Sequence, residues 1–263
     1  MNKHITEREF DLIISKSNFL FERFPHIGIC FSGGSDSLAL LLLMKNWIKK
    51  HKGNLTILYF DHKLRKESID ELIFAKKLAK KFKFNFRSFE WNSIKPTKSI
   101  MERAREIRYE RIIEFCKKKK IISLMTAHHL DDSLETYVMR KQRKFSTLGL
   151  SSIPGNHFKK NLQIVRPLIG IEKNRLALTC IFNDFGWIED ISNLNLKFER
   201  VRIREKIKLL DEKSKTILKK DLQDSKKKNQ EIEKKIALFF LENLNFENFG
   251  KFLIKKKKFL NCK

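Results

Sequence analysis

His26-Ile27-Gly28-Ile29-Cys30-Phe31-Ser32-Gly33-Gly34-Ser35-Asp36-Ser37 decides how the rest of the chain is read. Its first half is short and apolar, with Pro25 in front, and reads as a buried strand. Its second half is a Ser/Gly turn that feeds a helix, Ser37 to about His51, with Leu38, Leu41, Leu42 and Ile48 at helical spacing. In open α/β sheets that strand-to-helix turn lies at the carboxyl edge, where ligands bind. Gly33 and Gly34 let backbone amides approach a phosphate, while Ser32, Ser35 and Ser37 add hydroxyl donors. The helix N-terminus contributes the positive end of its dipole. A polyphosphate fits this loop; a plain Gly-Ser turn capped by Asp36 is the competing reading. Asp36 beside phosphates is repulsive unless a cation bridges them, so Mg²⁺ is expected there. Neither GxGxxG nor GxxxxGK[ST] occurs, which removes support for a Rossmann dinucleotide enzyme and for a γ-phosphate-cleaving NTPase.

Working outward, the alternation repeats: strand Leu55 to Phe60, helix Ser68 to Lys81, strand Phe84 to Phe89, helix Ser99 to Lys118, strand Ile121 to Thr126, helix Leu130 to Arg140. Strands separated by helices require a parallel sheet with right-handed crossovers, so a doubly wound α/β domain is expected. Gln142 to Asn161 reads as an active-site loop or lid, followed by strand Leu162 to Ile169 and helices Glu172 to Phe185 and Phe198 to Leu210. The Lys-rich stretch Lys213 to Lys235 and the aromatic tail Ile236 to Cys262, with Lys255 to Lys258, suggest a small helical C-terminal region. The expected division is a catalytic domain over 1–190 and a short helical region over 191–263.

Lys and Arg number 57 against 31 Asp and Glu, a net charge of +26 that concentrates polyanions such as nucleic acid or an acidic membrane. Drift of an ordinary enzyme towards lysine is the bland account of the same number. The longest apolar run, Leu38 to Met44, is far short of the ~18 residues that suggest a membrane span. No secretory leader is read at the N-terminus, so a cytoplasmic home is expected. Cys30, Cys116, Cys180 and Cys262 are too dispersed for a disulfide framework or a CxxC pair. Reduced, mostly buried thiols are expected.

Three further blocks carry chemistry. Asp61 and His62 end the second strand, on the same sheet edge as the phosphate loop, where they could hold adenosine; a polar strand end is the alternative. Arg105 and Arg108 stand three apart on one helix face and can reach a single anion, stabilising charge on a phosphate under attack; otherwise they are two solvated arginines. In His128-His129-Leu130-Asp131-Asp132-Ser133-Leu134-Glu135 a helix begins, so Asp132 and Glu135 share a face. Paired carboxylates invite a cation, either an ammonium substrate or a metal, and helix capping accounts for only one of them.

Together these blocks resemble a known family. SGGSDS resembles the pyrophosphate loop of enzymes that split ATP into AMP and pyrophosphate, the adenine nucleotide alpha hydrolase-like PP-loop fold. Within that superfamily, Asp61-His62-Lys63-Leu64-Arg65 with Ser68, Ala104 to Tyr109, Thr126 to Thr136, Arg166-Pro167-Leu168, and Asp190-Ile191-Ser192-Asn193 through Arg200 and Arg204 look like successive motifs of the tRNA(Ile)-lysidine synthetases. The resemblance covers about 27–204. It implies ATP as co-substrate with Mg²⁺ at Asp36, Asp36, Arg105, His128 and Asp132 as catalytic groups, and L-lysine gripped by Asp132 and Glu135. It also implies tRNA(Ile) with a CAU anticodon as partner, contacted near Arg200 and Arg204. Ile191, Val201, Lys144 and Ser152 depart from the family pattern, the last two where glycines are common in the lid, which puts lid geometry and tRNA contacts in question. So short a segment after Arg204 implies reduced or missing C-terminal tRNA-binding domains. The rivals are a tRNA thiolation ligase, for which the CxxC or paired cysteines are lacking, and a non-catalytic basic RNA-binding module.

Overall fold

The computed structural model describes residues 3–17, 19–63, 68–91, 100–189, 195–247 and 251–254. The deciding stretch forms strand β1 (His26–Phe31) and helix α2 (Ser35–Lys50), after a short amphipathic α1 (Glu7–Ser15). β1 is buried along most of its length, as is β2 (Asn54–Asp61), which suits strands covered on both faces. Gly28 at the centre of β1 is required by close packing: a Cβ there would sit 2.9 Å from Leu58 Cδ1 and 3.2 Å from Leu124 Cδ1.

After α3 (Ser68–Phe82) come β3 (Asn85–Glu90), α4 (Ile100–Lys118), β4 (Ser123–Met125) and α5 (Leu130–Gln142). α6 (Thr147–Leu150), β5 (Asn156–Lys159), β6 (Leu162–Val165) and α7 (Lys173–Phe182) follow. The strand order is β3-β2-β1-β4-β6-β5, with β1 paired in parallel to both β2 and β4. Crossovers run both ways from β1, so the phosphate loop after it stands at the point where the strand order reverses. β5 is the exception to parallel pairing: it runs antiparallel to β6 through Lys160 and Asn161, both at positive φ, as a type I′ turn needs. The segment expected to be a lid loop therefore holds a helical turn and an edge strand, and the strand expected to reach Ile169 stops at Val165, just before Arg166-Pro167. Pro167 has no N–H to donate to a ladder.

The main core joins β1 and β2 to α2, whose Leu38 to Met44 are all buried, and extends to Leu176 and Cys180 of α7. Among the described residues, no helix is long and apolar enough to cross a membrane. Beyond α8 (Glu199–Lys208), the Lys-rich stretch is one helix, α9 (Glu212–Asn243). The tail departs from its helical expectation: β7 (Leu244–Glu247) and β8 (Lys251–Ile254) pair as an antiparallel hairpin. Leu244-Asn245-Phe246-Glu247 alternates apolar and polar residues with the two-residue period of a strand. Lys255 to Lys258 and Cys262 lie outside the described residues.

Two compact units emerge, one of Met1–Ser133 with Ile153–Arg202, the other of Leu134–Ser152 with Ile203–Lys263. The first contains the six-stranded sheet; the second contains α6, α9 and the terminal hairpin. The expected boundary near Asp190 falls among residues outside the described set.

Candidate functional site

The loop between β1 and α2 is held open by its own serines. Ser37 Oγ donates to Gly34 O at 3.0 Å and accepts from Ser32 N–H at 3.2 Å. Gly33 adopts φ +84°, which L side chains rarely tolerate, and its carbonyl accepts from Ile188 N–H at 3.0 Å. Gly34 caps α2 without a side-chain cap, so the first amides of the helix face the loop. Buried Glu71 lies under the turn, its Cγ 3.4 Å from where a Cβ on Gly33 would sit, and accepts from Tyr59 Oη–H at 3.1 Å.

Asp36 is tied to the acidic helix start through His129, whose side chain is 3% exposed. His129 Nε2 lies 3.5 Å from Asp36 Oδ2 and 3.5 Å from Asp132 Oδ2. Burial opposes the imidazolium, but the hydrogen bond to Asp36 and the charges of Asp132, Asp36 and Asp131 outweigh it and raise the His129 pKa above the ordinary value. Burial likewise opposes ionised Asp36, yet His129 and then Lys173, 3.8 Å away, hold that carboxyl below its usual range. Asp132 accepts the His129 backbone N–H at 3.0 Å, capping α5, and takes Arg200 Nη2–H at 2.5 Å. Asp131 Oδ1 lies 3.9 Å from His129 Nδ1 and accepts from the first amide of α7, Lys173 N–H, at 3.4 Å.

His128 differs sharply from its neighbour. Burial pushes its pKa well down; Asp132 counters, while Arg166, Arg105 and Arg200 add to the fall. Its Nδ1 pairs with Thr126 Oγ1 at 2.8 Å, and among the described residues nothing takes the Nε2 edge of this neutral ring. The adjacent histidines are thus shifted in opposite directions: carboxylates outweigh burial at His129, while burial, joined by three guanidiniums, prevails at His128.

Arg105 and Arg108 lie on α4 over the ring of Tyr109, at 5.8 and 5.6 Å from its centroid. Asp61 accepts Lys63 N–H at 2.7 Å and His62 packs on Phe60, ring centroids 4.8 Å apart. In the second unit, buried Glu135 takes Arg204 Nε–H at 2.6 Å. The carboxylates assigned to lysine and the arginines assigned to tRNA are therefore ion-paired with each other, Asp132 with Arg200 and Glu135 with Arg204. Leu64, Arg65 and 190–194 lie outside the described residues.

Sequence reasoning missed Lys173 and Glu71 as groups placed at this edge, and named Arg166 within a motif without giving it a role. Lys173 is one lysine in a Lys-rich chain and carries no local signal. Arg166 followed a strand end that was read as too long. Glu71 sits on a helix face whose burial only the strand order reveals.

Residues 2–210 match the family described as the PP-loop domain. The tRNA(Ile)-lysidine synthase of Rickettsia bellii (strain OSU 85-389) is 38% identical over 201 residues, covering 72% of this chain and 46% of that protein. The protein of the same name from Orientia tsutsugamushi (strain Boryong) is 37% identical over 188 residues, covering 72% and 42%. The chain thus spans less than half the length of these curated relatives. Among solved structures, the U34-tRNA thiolase NcsA from Methanococcus maripaludis with its [4Fe-4S] cluster superposes with a TM-score of 0.71 at 16% identity, over 85% of this chain and 79% of that one. At that identity the likeness is one of fold. The glycine-serine loop at the strand-order reversal and the match over 2–210 agree, and the chain belongs to the PP-loop domain family.

Proposed function

We propose that this chain carries the catalytic part of a tRNA(Ile)-lysidine synthetase, acting in the cytoplasm on tRNA(Ile) with a CAU anticodon. The observation that carries the reading is His129, which bridges the phosphate-loop Asp36 to Asp132 and so joins the nucleotide end of the site to the acidic end. In the proposed reaction the C2 oxygen of the wobble cytidine attacks the α-phosphorus of ATP and pyrophosphate leaves into the 32–37 loop. The ε-amine of lysine then attacks C2, AMP departs with that oxygen, and the amine sheds a proton. The wobble base must be presented unstacked, as enzymes that act on base atoms require.

The chain's own groups suit these tasks. Loop amides and serine hydroxyls receive the pyrophosphate oxygens. Neutral His128 offers an Nε2 edge beside Arg105, and the guanidinium stabilises charge on the phosphoryl group in transit. Asp132 and Glu135, one turn apart on α5, are the candidates for the lysine ammonium, which would have to share them with Arg200 and Arg204. Mg²⁺ is compatible with the donor set: it binds through one or two carboxylates plus phosphates, and Asp36 is a carboxylate at the phosphate loop. Among the described residues no group of three His, Cys, Asp or Glu could hold a metal alone, so phosphate oxygens would complete the shell. When bound, the ion would offset polyphosphate charge.

A thiolation enzyme is the weaker reading. Burial pushes the Cys30 thiol up to about 11 and the Cys116 and Cys180 thiols up to about 12, so none of the three offers a ready thiolate. Incubation with ATP, radiolabelled lysine and a tRNA(Ile) CAU transcript should place acid-stable label in the RNA. Label-free RNA from folded, ATP-binding protein would overturn the assignment.

A further inference from the structure

Four cations gather around one buried tyrosine on the β5 side of the sheet. The Tyr109 ring has Lys159 Nζ 4.9 Å from its centroid, besides Arg105 and Arg108. Arg166, 3% exposed, stands beside them: its Nη1 donates to Pro154 O at 2.8 Å and lies 3.0 Å from His157 Nδ1, while its buried Nε has no hydrogen-bond partner. Burial lowers the Arg166 pKa, Tyr109 counters, and Arg105 lowers it further, so the guanidiniums act on one another. Among the described residues no carboxylate lies within ion-pair distance of Arg105, Arg108, Lys159 or Arg166, although ion pairs are made widely elsewhere. Cation–π attraction places Arg105, Arg108 and Lys159, and hydrogen bonds place Arg166, but neither removes their mutual repulsion. An anion does.

We propose that Lys159 and Arg166, with Arg108, form a phosphate site around Tyr109 that takes a backbone phosphodiester of the polynucleotide substrate. This rests on the RNA reading above. Lys159 is the member that sets the site apart from the nucleotide loop: β5 is three strands from β1, about 14 Å at the ~4.8 Å spacing of neighbouring strands, whereas Arg108 and Arg166 act on Cys30 of β1 and Arg105 and Arg166 on His128. A polynucleotide with a phosphate at every residue can meet Lys159 on β5 and the arginines nearer β1 together. Access separates it as well. His157 and Lys159 share one face of β5, so the hairpin turns its exposed lysine onto the tyrosine, over the buried arginine.

The test is a salt titration of tRNA binding by the full chain, comparing wild type with Lys159→Gln and Lys159→Arg. Lys159→Gln should weaken binding several-fold at low salt and reduce the log-log salt slope by roughly 0.7 to 0.9, the share of one phosphate. Lys159→Arg should restore both. The same loss should appear with a tRNA of unrelated identity, because phosphate contacts carry no sequence information. Apparent affinity for ATP should stay unchanged in both variants. An unaltered slope, or a weakened affinity for ATP or free pyrophosphate in place of RNA, overturns the proposal. Lysine incorporation is scored separately: its absence beside a reduced slope removes the enzyme assignment and leaves the phosphate site standing.

Discussion

Asp132 is claimed from three directions: by the His129 amide it caps, by the His129 ring and by Arg200. A carboxylate so held stays ionised; burial opposes this, but His129, Arg200 and His128 together lower its pKa below the ordinary value. Under the proposed function, a substrate ammonium entering here would displace or share the Arg200 guanidinium. Replacing Asp132 with Asn keeps the shape and a cap acceptor but removes the charge. Hydrogen bonds to charged groups are worth about 1.5–3 kcal/mol, so Asp132→Asn should weaken lysine use by roughly 10- to 100-fold and ATP use far less. Steady-state titration of each substrate decides, with a melting curve to show that the fold survives. Equal losses for both substrates would make the residue structural. Glu135 is the poorer probe: its side chain is 1% exposed and paired with Arg204, and breaking a buried pair from one side costs about 3–5 kcal/mol of stability.

At the scale of the element, the helices stop in an unusual way for a chain with only 9 glycines. Lys52, Lys83, Lys120, Lys144 and Asp184 each follow a helix at positive φ, between 50° and 57°, where glycine is the usual occupant. The hydrogen bonds are those of a Schellman ending: Lys83 N–H to Lys80 O with Phe84 N–H to Ala79 O, and Lys120 N–H to Lys117 O with Ile121 N–H to Cys116 O. The left-handed backbone strains an L side chain by about 1–2 kcal/mol. Lys83→Gly and Lys120→Gly should therefore each raise stability, by up to ~1 kcal/mol once the greater freedom of glycine in the unfolded chain is counted. Urea denaturation at neutral pH measures it, and a loss of stability would mean that the lysine side chains make compensating contacts. Lys144 and Ser152, where the resemblance leads to an expectation of glycine, stand at φ 54° and 67°, a region that glycine favours.

The same elements explain what could be read in advance. β1 and α2 were legible because a continuous apolar run is bracketed by Pro25 and two glycines. β5 was not, since Asn156-His157-Phe158-Lys159 has no core-facing alternation and its turn is Lys160-Asn161, without a glycine. The phosphate loop and the acidic helix start were legible from their composition. Invisible in the sequence were the pairing of Asp132 with Arg200, 68 residues away, and the gathering of Lys159 and Arg166 onto Tyr109. Such contacts depend on strand order, which local pattern does not encode.

For the whole molecule, burial is distributed unevenly. Among the described residues, the three apolar clusters all belong to the unit that holds the six-stranded sheet. The other unit has few fully covered apolar residues among those described, with Leu134, Tyr137, Ile203 and Leu222 the main ones. α9 runs 32 residues, about 48 Å at 1.5 Å per residue, and leaves Ile217, Ile236, Leu238 and Leu241 exposed. An isolated helix gains little from propensity alone and takes its stability from packing, so α9 should open without unfolding the sheet. If its opening is easier than global unfolding by at least ~3 kcal/mol, amide hydrogens of 216–240 should exchange at least about a hundredfold faster, relative to intrinsic rates, than those of β1 and β2. Mass-spectrometric exchange on the native protein reads both in one experiment. Added tRNA should slow exchange in 216–240 if this Lys-rich helix meets the nucleic acid, since binding protects what it orders. Equal protection of α9 and the central strands in the free protein would show that the two units open only together, and the uneven burial would then not set the order of opening.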